Sequence, residues 1–585
     1  MSHFKFPSFK EVGFAFESLT IRQKTIFLIL LAVFAMSTFV IFWKVNAKLM
    51  INIPVSGGSL QEGIIGSPRF INPLLAISDT DRDLTMLTYS GLMRIGKNSS
   101  LIPDLAENFT ISDDGLTYTF KLKNNLTWQD DQKITADDII FTINTAQDPS
   151  IKSAKRAGWS GVVVRKIDDQ NIEFVLKKPY GSFLENTTLG ILPKHLWGKI
   201  TPENFPLSDL NNKPVGSGPY TVDSINKNSS GIAESYVLKP FTNFALGEPK
   251  IKSLTVSFFA NDVELTSAYK AGRIDSLSAL SPQLASELEK SGQKITASPL
   301  PRTFAIFLNS GHAQIFADKT VRQALDLAIN KKNIIAQVLS GYGQVVNGAF
   351  PPTTTSNSKT ANDNYSPVKA RDLLVADGWR ENTDHLMEKT QTKSVKNAKT
   401  KKTELIKTGS QVLVFTLATA NVPELKAAAE LVKKDLAQIG VGVEIKVYEP
   451  GDLNQEIIRP RKYEALLFGE IMGRDMDPFP FWHSSQRLDP GLNIALYTNT
   501  KVDKLLEEAR AISDPETRLK KYDLFNQEIT SDIPAIFLYS PYFLYTLPAK
   551  INGVNLSAIT NPAERFANIY EWYINTDRVW KIFAR

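Results

Sequence analysis

The sequence predicts an α/β protein carried behind one membrane-spanning helix, and three observations lead there. A run of eighteen uncharged residues, Ile26–Trp43, stands near the N-terminus. Behind it, short strand-like segments alternate with amphipathic helical ones, the rhythm of α/β architecture. The chain has 585 residues, too many for one compact core and enough for two or three domains.

At ~1.5 Å per residue, the apolar run spans ~27 Å, enough for a hydrocarbon core. Lys5, Lys10, Arg22 and Lys24 precede it, and only Lys44 and Lys48 follow closely. That bias predicts a cytoplasmic segment 1–25, an anchor 26–43 and a large extracytoplasmic remainder at the cell membrane. Val45-Asn46-Ala47 could serve as a signal-peptide cleavage site. The run exceeds the usual ~7–15 residues of a signal peptide, so an uncleaved anchor is preferred.

Composition removes several function classes. With no cysteine, the chain has no thiol nucleophile, disulfide, iron–sulfur cluster or cysteine-based zinc site. The net charge of +6 is unevenly spread: the first fifty residues carry +4 and residues 388–410 carry +5, leaving the rest at −3. A mildly acidic body argues against nucleic acid as a partner.

Along the body, Ser112-Asp113-Asp114-Gly115 reads as a turn before a half-buried strand, Leu116–Leu122. Thr135 reads as an N-cap, with Asp137 and Asp138 in the first helical turn, where their charge meets the positive helix end. They are thus capping residues and not metal ligands, since no histidine or third carboxylate stands at ligand spacing. Strands are expected at Ile172–Leu176, Tyr236–Leu238, Thr303–Leu308 and Val443–Val447. Helices are expected near Thr320–Ile329, from Ser366-Pro367 to Gly378, and over Leu425–Ile439. The lysine-rich Lys389–Lys407 stretch predicts a mobile, solvated loop.

The segment LAENFTISDDGLTYTFKLKNNLTWQDDQKITADDIIFTI resembles the signature of the family 5 extracellular solute-binding proteins, the oligopeptide-, dipeptide- and nickel-binding subunits of ABC importers. Further matching pieces follow in order: Ile71-Asn72-Pro73-Leu74, Tyr89-Ser90-Gly91-Leu92, Ile191–Trp197, Gly216-Ser217-Gly218-Pro219-Tyr220, Val321–Ile335 after Asn309, GAFPP ending at Pro352, and YSPVKARDLLVADGW ending at Trp379. The resemblance implies a two-lobed, periplasmic-binding-protein-like (type II) α/β fold with an extra N-terminal subdomain, closing on its ligand like a trap. Lobe I would cover 52–297, with the subdomain at about 80–215. Lobe II would cover 298–534 with the basic insert 388–410, and residues 535–585 would return to lobe I. One departure is Trp128-Gln129-Asp130-Asp131, where the family commonly has a glycine at the last position; an aspartate tolerates the same positive-φ turn.

In peptide-binding members, an aspartate in a segment like Phe468–Gln486 pairs with the ligand's ammonium. Here Asp475 is the preferred equivalent, with Asp477 and Glu470 as further candidates; the Asp475 to Asp477-Pro478 spacing is one residue tighter than the family's. A buried ammonium needs a carboxylate, because either charge left unpaired costs several kcal/mol. Trp482, with Phe479 and Phe481, lines pockets or builds core. Tyr89 and Trp159 are pocket candidates, and Asn309 and Tyr220 lie near expected crossovers. His483 is the one histidine near the expected pocket.

The function implied is a membrane-anchored, monomeric binding protein. It would capture peptides by lobe closure and deliver them to an ABC permease and its ATPase, without cofactor or metal. The alternatives are a non-peptide solute (metal chelate, oligosaccharide or opine-like molecule) or a surface receptor without transport. No Gly-x-Ser-x-Gly, His-Glu-x-x-His or Walker loop supports an enzyme.

Overall fold

The computed structural model describes residues 8–97, 100–351, 364–396, 403–512, 514–556 and 559–583. His3, Pro352 and the 397–402 tip of the basic insert lie outside the described residues. The chain divides into two compact units, Met1–Gly58 with Tyr573–Arg585, and Ser59–Trp572.

In the smaller unit, the apolar run lies within a 29-residue helix, Ile21–Leu49, with no buried residue. It is long and apolar enough to cross a bilayer. The Gln23 side chain reaches back to accept the Thr20 amide at 3.0 Å, closing its first turn. Strand Met50–Val55 follows directly and pairs antiparallel with Asn575–Trp580, Met50 facing Trp580.

The larger unit is built on a twelve-stranded sheet. Its middle is the long strand Ala535–Thr546. One half of that strand pairs with Arg302–Leu308, and from there the sheet runs through Ala465–Ile471 and Val414–Ala420 to Gly442–Tyr448. The other half pairs with Ser276–Ser278 and Ile295–Pro299, and the sheet continues through Ser59–Ile65 and Ser253–Phe259 to Ala233–Pro240 and Tyr220–Lys227. A single strand therefore belongs to both wings. The chain crosses between them at two adjacent points, where Ser540 Oγ donates to Leu300 O at 3.0 Å. Parallel pairs in each wing are covered by helices, whose apolar faces make the core.

Helix starts follow their capping residues. Asp318, Ser366, Asn499 and Asp514 each accept an amide from the first turn of the helix they open. Helix Pro367–Ala376 stops before Gly378, which adopts φ +96. The expected strands and helices of the body are present within a few residues of their predicted limits.

A separate four-stranded antiparallel sheet orders Ala106–Ile111, Thr117–Leu122, Asn171–Val175 and Val163–Lys166. In Thr117–Leu122 burial alternates, with Tyr118, Phe120 and Leu122 inside. Asp138 accepts the Thr135 and Lys194 amides at 2.9 Å each, and Asp137 pairs with Lys166 at 3.0 Å. Both aspartates are scaffold. Asp131 takes φ +65, filling the turn the family gives to glycine. Beside it, Gln129 holds the Gly216 amide and the Tyr220 carbonyl. A Cβ at Gly216 would meet Thr88 O at 1.8 Å, which requires glycine there.

The basic insert corrects the expected solvated loop. Met387–Lys396 and Thr403–Val412 form an antiparallel hairpin, with Arg380–Glu381 beside it. Thr390, Thr392 and Val395 on one run, and Thr403, Ile406 and Val412 on the other, supply β-forming residues among the lysines. At its base, Lys389 pairs with Asp377 at 2.6 Å and lies over the Trp379 ring.

Candidate functional site

A cavity of about 560 Å³ opens in the larger unit. Five stretches of sequence build most of its wall, residues within Gly91–Asp104 among them. Helix Asp79–Thr88 starts on Ser78, whose hydroxyl accepts the Asp81 amide while Asp81 accepts the Ser78 amide. Its face at 82, 85, 86 and 89 presents Arg82, Thr85, Met86 and Tyr89 to the cavity. A second region, Ala154–Trp159 with Glu185–Gly190, comes from around the four-stranded sheet. The end of strand Ala465–Ile471 and its loop supply Ile471–Arg474. The C-terminal segment supplies Thr560, Asn561, Ala563 and Glu564.

The charges of this wall are unequally satisfied. Arg94 Nε donates to Asp104 Oδ2 at 2.7 Å, leaving Asp104 Oδ1 buried without a protein partner among the described residues. Arg474 pairs with Glu564, and Glu564 also accepts the Thr560 amide at 2.7 Å. Lys155 is exposed, and its ammonium makes no hydrogen bond or ion pair among the described residues, while its backbone amide donates to Ser153 Oγ at 3.2 Å. Desolvation lowers its ammonium and Arg82 repels it, with Glu564 supporting it from farther off. Arg82 is held only loosely, 3.7 Å from Asp79. The buried Tyr89 hydroxyl and Thr85 Oγ1 also lack partners among the described residues.

Glu185 stands in the short helix Phe183–Asn186. Burial, helped by the charge of Asp475 and opposed by Arg474, pushes its carboxyl up to about 8. At neutral pH it is therefore largely a neutral acid. The charges interact as a series: Glu185 with Asp475, Arg474 and Glu564, and Lys155 with Glu564 and Arg82.

The expected site residues are distributed as follows. Tyr89 and Trp159 line the cavity. Asp475 lies just behind Gly473 and accepts the Tyr180 hydroxyl at 3.1 Å. Asp477 is committed elsewhere: Arg510 donates to it at 2.6 and 2.8 Å, and it caps the Phe479 amide at 3.1 Å. Glu470 is buried in the core, directly across the strands from Thr303. Desolvation pushes its carboxyl well above the ordinary range. Trp482 Nε1 is close, yet neither group completes a well-formed hydrogen bond. The Trp482 ring packs on Phe307, Tyr497 and Phe537, so it is core. His483 stacks on Phe479, away from the cavity wall. Asn309 and Tyr220 spend their side chains on backbone carbonyls, of Arg461 and Ile251, and do not line the cavity. Among the described residues, no group of three or more His, Cys, Asp or Glu is placed to hold a metal.

Arg82, Lys155, Glu185 and Arg474 were not singled out from sequence. The i, i+3, i+4, i+7 spacing of 82, 85, 86 and 89 is a legible helical face, but nothing local marks Lys155 or Glu185 as wall residues.

Comparison with known proteins agrees with this architecture. The chain is 26% identical over 539 residues to the oligopeptide-binding protein AppA of Bacillus subtilis, covering 90% of this chain and 94% of that one. The structure of that protein with a nonapeptide superposes with a TM-score of 0.68, covering 89% of this chain and all of the other. NikZ of Campylobacter jejuni, solved with Ni(L-His), is 27% identical with a TM-score of 0.67, over 88% of this chain and 99% of NikZ. The profile of bacterial extracellular solute-binding proteins, family 5, matches residues 100–489. With that match lying across both wings of the sheet, the chain belongs to the family 5 extracellular solute-binding proteins.

Proposed function

We propose that this chain is a membrane-anchored, extracytoplasmic binding protein that captures peptides between its lobes and delivers them to an ABC permease and its ATPase. The observation that carries this reading is the series of charges at the cavity. Glu185 interacts with Asp475, which lies behind the wall at Gly473, and with the Arg474–Glu564 pair, while Lys155 interacts with Glu564 and Arg82. A short peptide is the complementary guest, ammonium on Asp475 and carboxylate on Lys155. A cation on the wall without an ion pair gains a charged hydrogen bond from an incoming carboxylate. The volume suits a small ligand.

Closure follows from the same residues. Tyr180 reaches Asp475, and the Gly181 amide points at Arg510 O, 3.5 Å away, so the four-stranded subdomain meets the second wing at the cavity rim. A guest that pairs with Asp475 and Lys155 stabilises that contact, and a permease reads the closed state. The chemistry is binding, not turnover. The apolar helix Ile21–Leu49 serves as the anchor.

The test uses residues 48–585. Mass spectrometry identifies what copurifies, and thermal shift with pooled short peptides follows. Peptides are expected to raise Tm, and C-terminal amidation or N-acetylation is expected to weaken the effect. No shift with any peptide would sink the reading and favour a non-peptide solute such as a chelate.

A further inference from the structure

The smaller unit brings the two ends of the chain together. Asn575–Trp580 returns along Met50–Val55, and Trp580 Nε1 donates to Asn46 Oδ1 at 2.6 Å. Asn46 lies three residues past Trp43, where the uncharged run ends, a rise of ~4.5 Å along the helix. The headgroup layer on each side of a bilayer is ~5–7 Å deep. If Trp43 marks its inner edge, the Trp580 hydrogen bond falls inside that layer. Trp580 keeps 42% of its surface exposed and Ile582 keeps 76%. The two stretches also carry Lys44, Lys48, Arg578 and Lys581, with Asp577 the one acid between residues 44 and 58 or 573 and 583.

We propose that Trp580-Lys581-Ile582 is a second membrane contact, seated in the interfacial layer beside the helix. The indole and the isoleucine enter among the headgroups, and the four basic side chains face lipid phosphates. A lipid surface is the occupant because the exposed apolar groups continue the apolar surface of the helix. Tryptophan with flanking lysine and arginine is also the composition that favours a bilayer interface. The inference rests on the anchoring reading above, and its test separates the two.

The chain is free of cysteine, so single cysteines report position without background. Full-length Trp43→Cys, Ile582→Cys and Val263→Cys chains, each carrying a nitrobenzoxadiazole label, are reconstituted in vesicles of phosphatidylcholine and phosphatidylglycerol. They are then titrated with lipid spin-labelled at a shallow position. Labels at 43 and 582 are expected to shift to the blue and to be quenched, while the label at exposed Val263 does neither. Adding Trp580→Ser to the Ile582→Cys chain should reduce the quenching. Quenching at 43 without quenching at 582 overturns the proposal and leaves the anchor standing. A blue-shifted label at 582 that the spin-labelled lipid does not quench also overturns it, since a protein surface then covers the site. No quenching at 43 overturns the anchoring reading and the proposal together.

Discussion

Two charged regions of the larger unit handle their polar groups in opposite ways. Around Arg565 every charge is matched. Its guanidinium is fully buried and donates to Glu62 at 3.0 and 3.1 Å and to Asp83 at 2.7 Å twice, while Tyr545 donates to Glu62 at 2.8 Å. At the cavity, Lys155, Asp104 Oδ1, Thr85 Oγ1 and the Tyr89 hydroxyl are left unmatched among the described residues. The first arrangement ties Ser59–Ile65, helix Asp79–Thr88, the C-terminal segment and strand Ala535–Thr546 into one body. The second keeps polar capacity in reserve for a guest. Unmatched buried groups also occur in the core, at Glu470 and Trp482, so it is their place on the cavity wall that sets Asp104, Thr85 and Tyr89 apart.

The largest effect expected from this contrast is at Arg565. Arg565→Met strands two buried carboxylates and should cost about 3–5 kcal/mol of unfolding free energy, read by urea denaturation. A loss within the noise of an ordinary surface change would break the comparison. Lys155→Met should do the reverse. Stability should hold, because an exposed side chain without an ion pair is replaced, while affinity for free-carboxylate peptides falls by roughly 10–100-fold, the worth of a charged hydrogen bond. Calorimetry that found both quantities unchanged would remove Lys155 from the site.

Glu185 gives a pH signature. Its carboxyl is raised in the folded state, so its contribution to stability is fully present below the ordinary value of 4.5 and is lost as pH rises towards about 8. Glu185→Gln should flatten the fall in Tm across that window relative to the parent chain. Parallel curves would show that Glu185 titrates normally. The smallest effect is expected at Glu470→Gln. A buried acid already held neutral should tolerate its isosteric amide at pH 7 with a change under about 1 kcal/mol. A loss of several kcal/mol would mean that its ionised form is structural.

Much of the scaffold was legible in the sequence because it is locally encoded. Thr135 with Asp137 and Asp138, Ser366-Pro367, Gly378 and the Asp131 turn each act within a few residues, and the apolar helix is a matter of composition. The cavity was legible only in part. Tyr89 and Trp159 are on its wall. The candidates of the acid segment part ways: Asp475 lies behind Gly473, Asp477 is bound to Arg510, and Glu470 is in the core. Which carboxylate is free depends on Arg510, Tyr180 and Arg474, whose positions no local pattern reveals. Asn309 and Tyr220 bond backbone carbonyls off the cavity wall; nearness to a crossover does not say which way a side chain turns. The basic insert misled because lysine content masked its alternation of β-forming residues.

The close approach of Gly216 to Thr88 carries a consequence for genetics. Tyr89, the next residue, is cavity wall, and a side chain at 216 would have to displace the backbone that holds it. On the uptake role proposed above, a screen for cells that stop taking up solute should yield alleles at Gly216, and at Gly218 packed against the same backbone, as readily as at the wall itself. Such alleles would look like specificity mutants while touching nothing that is transported.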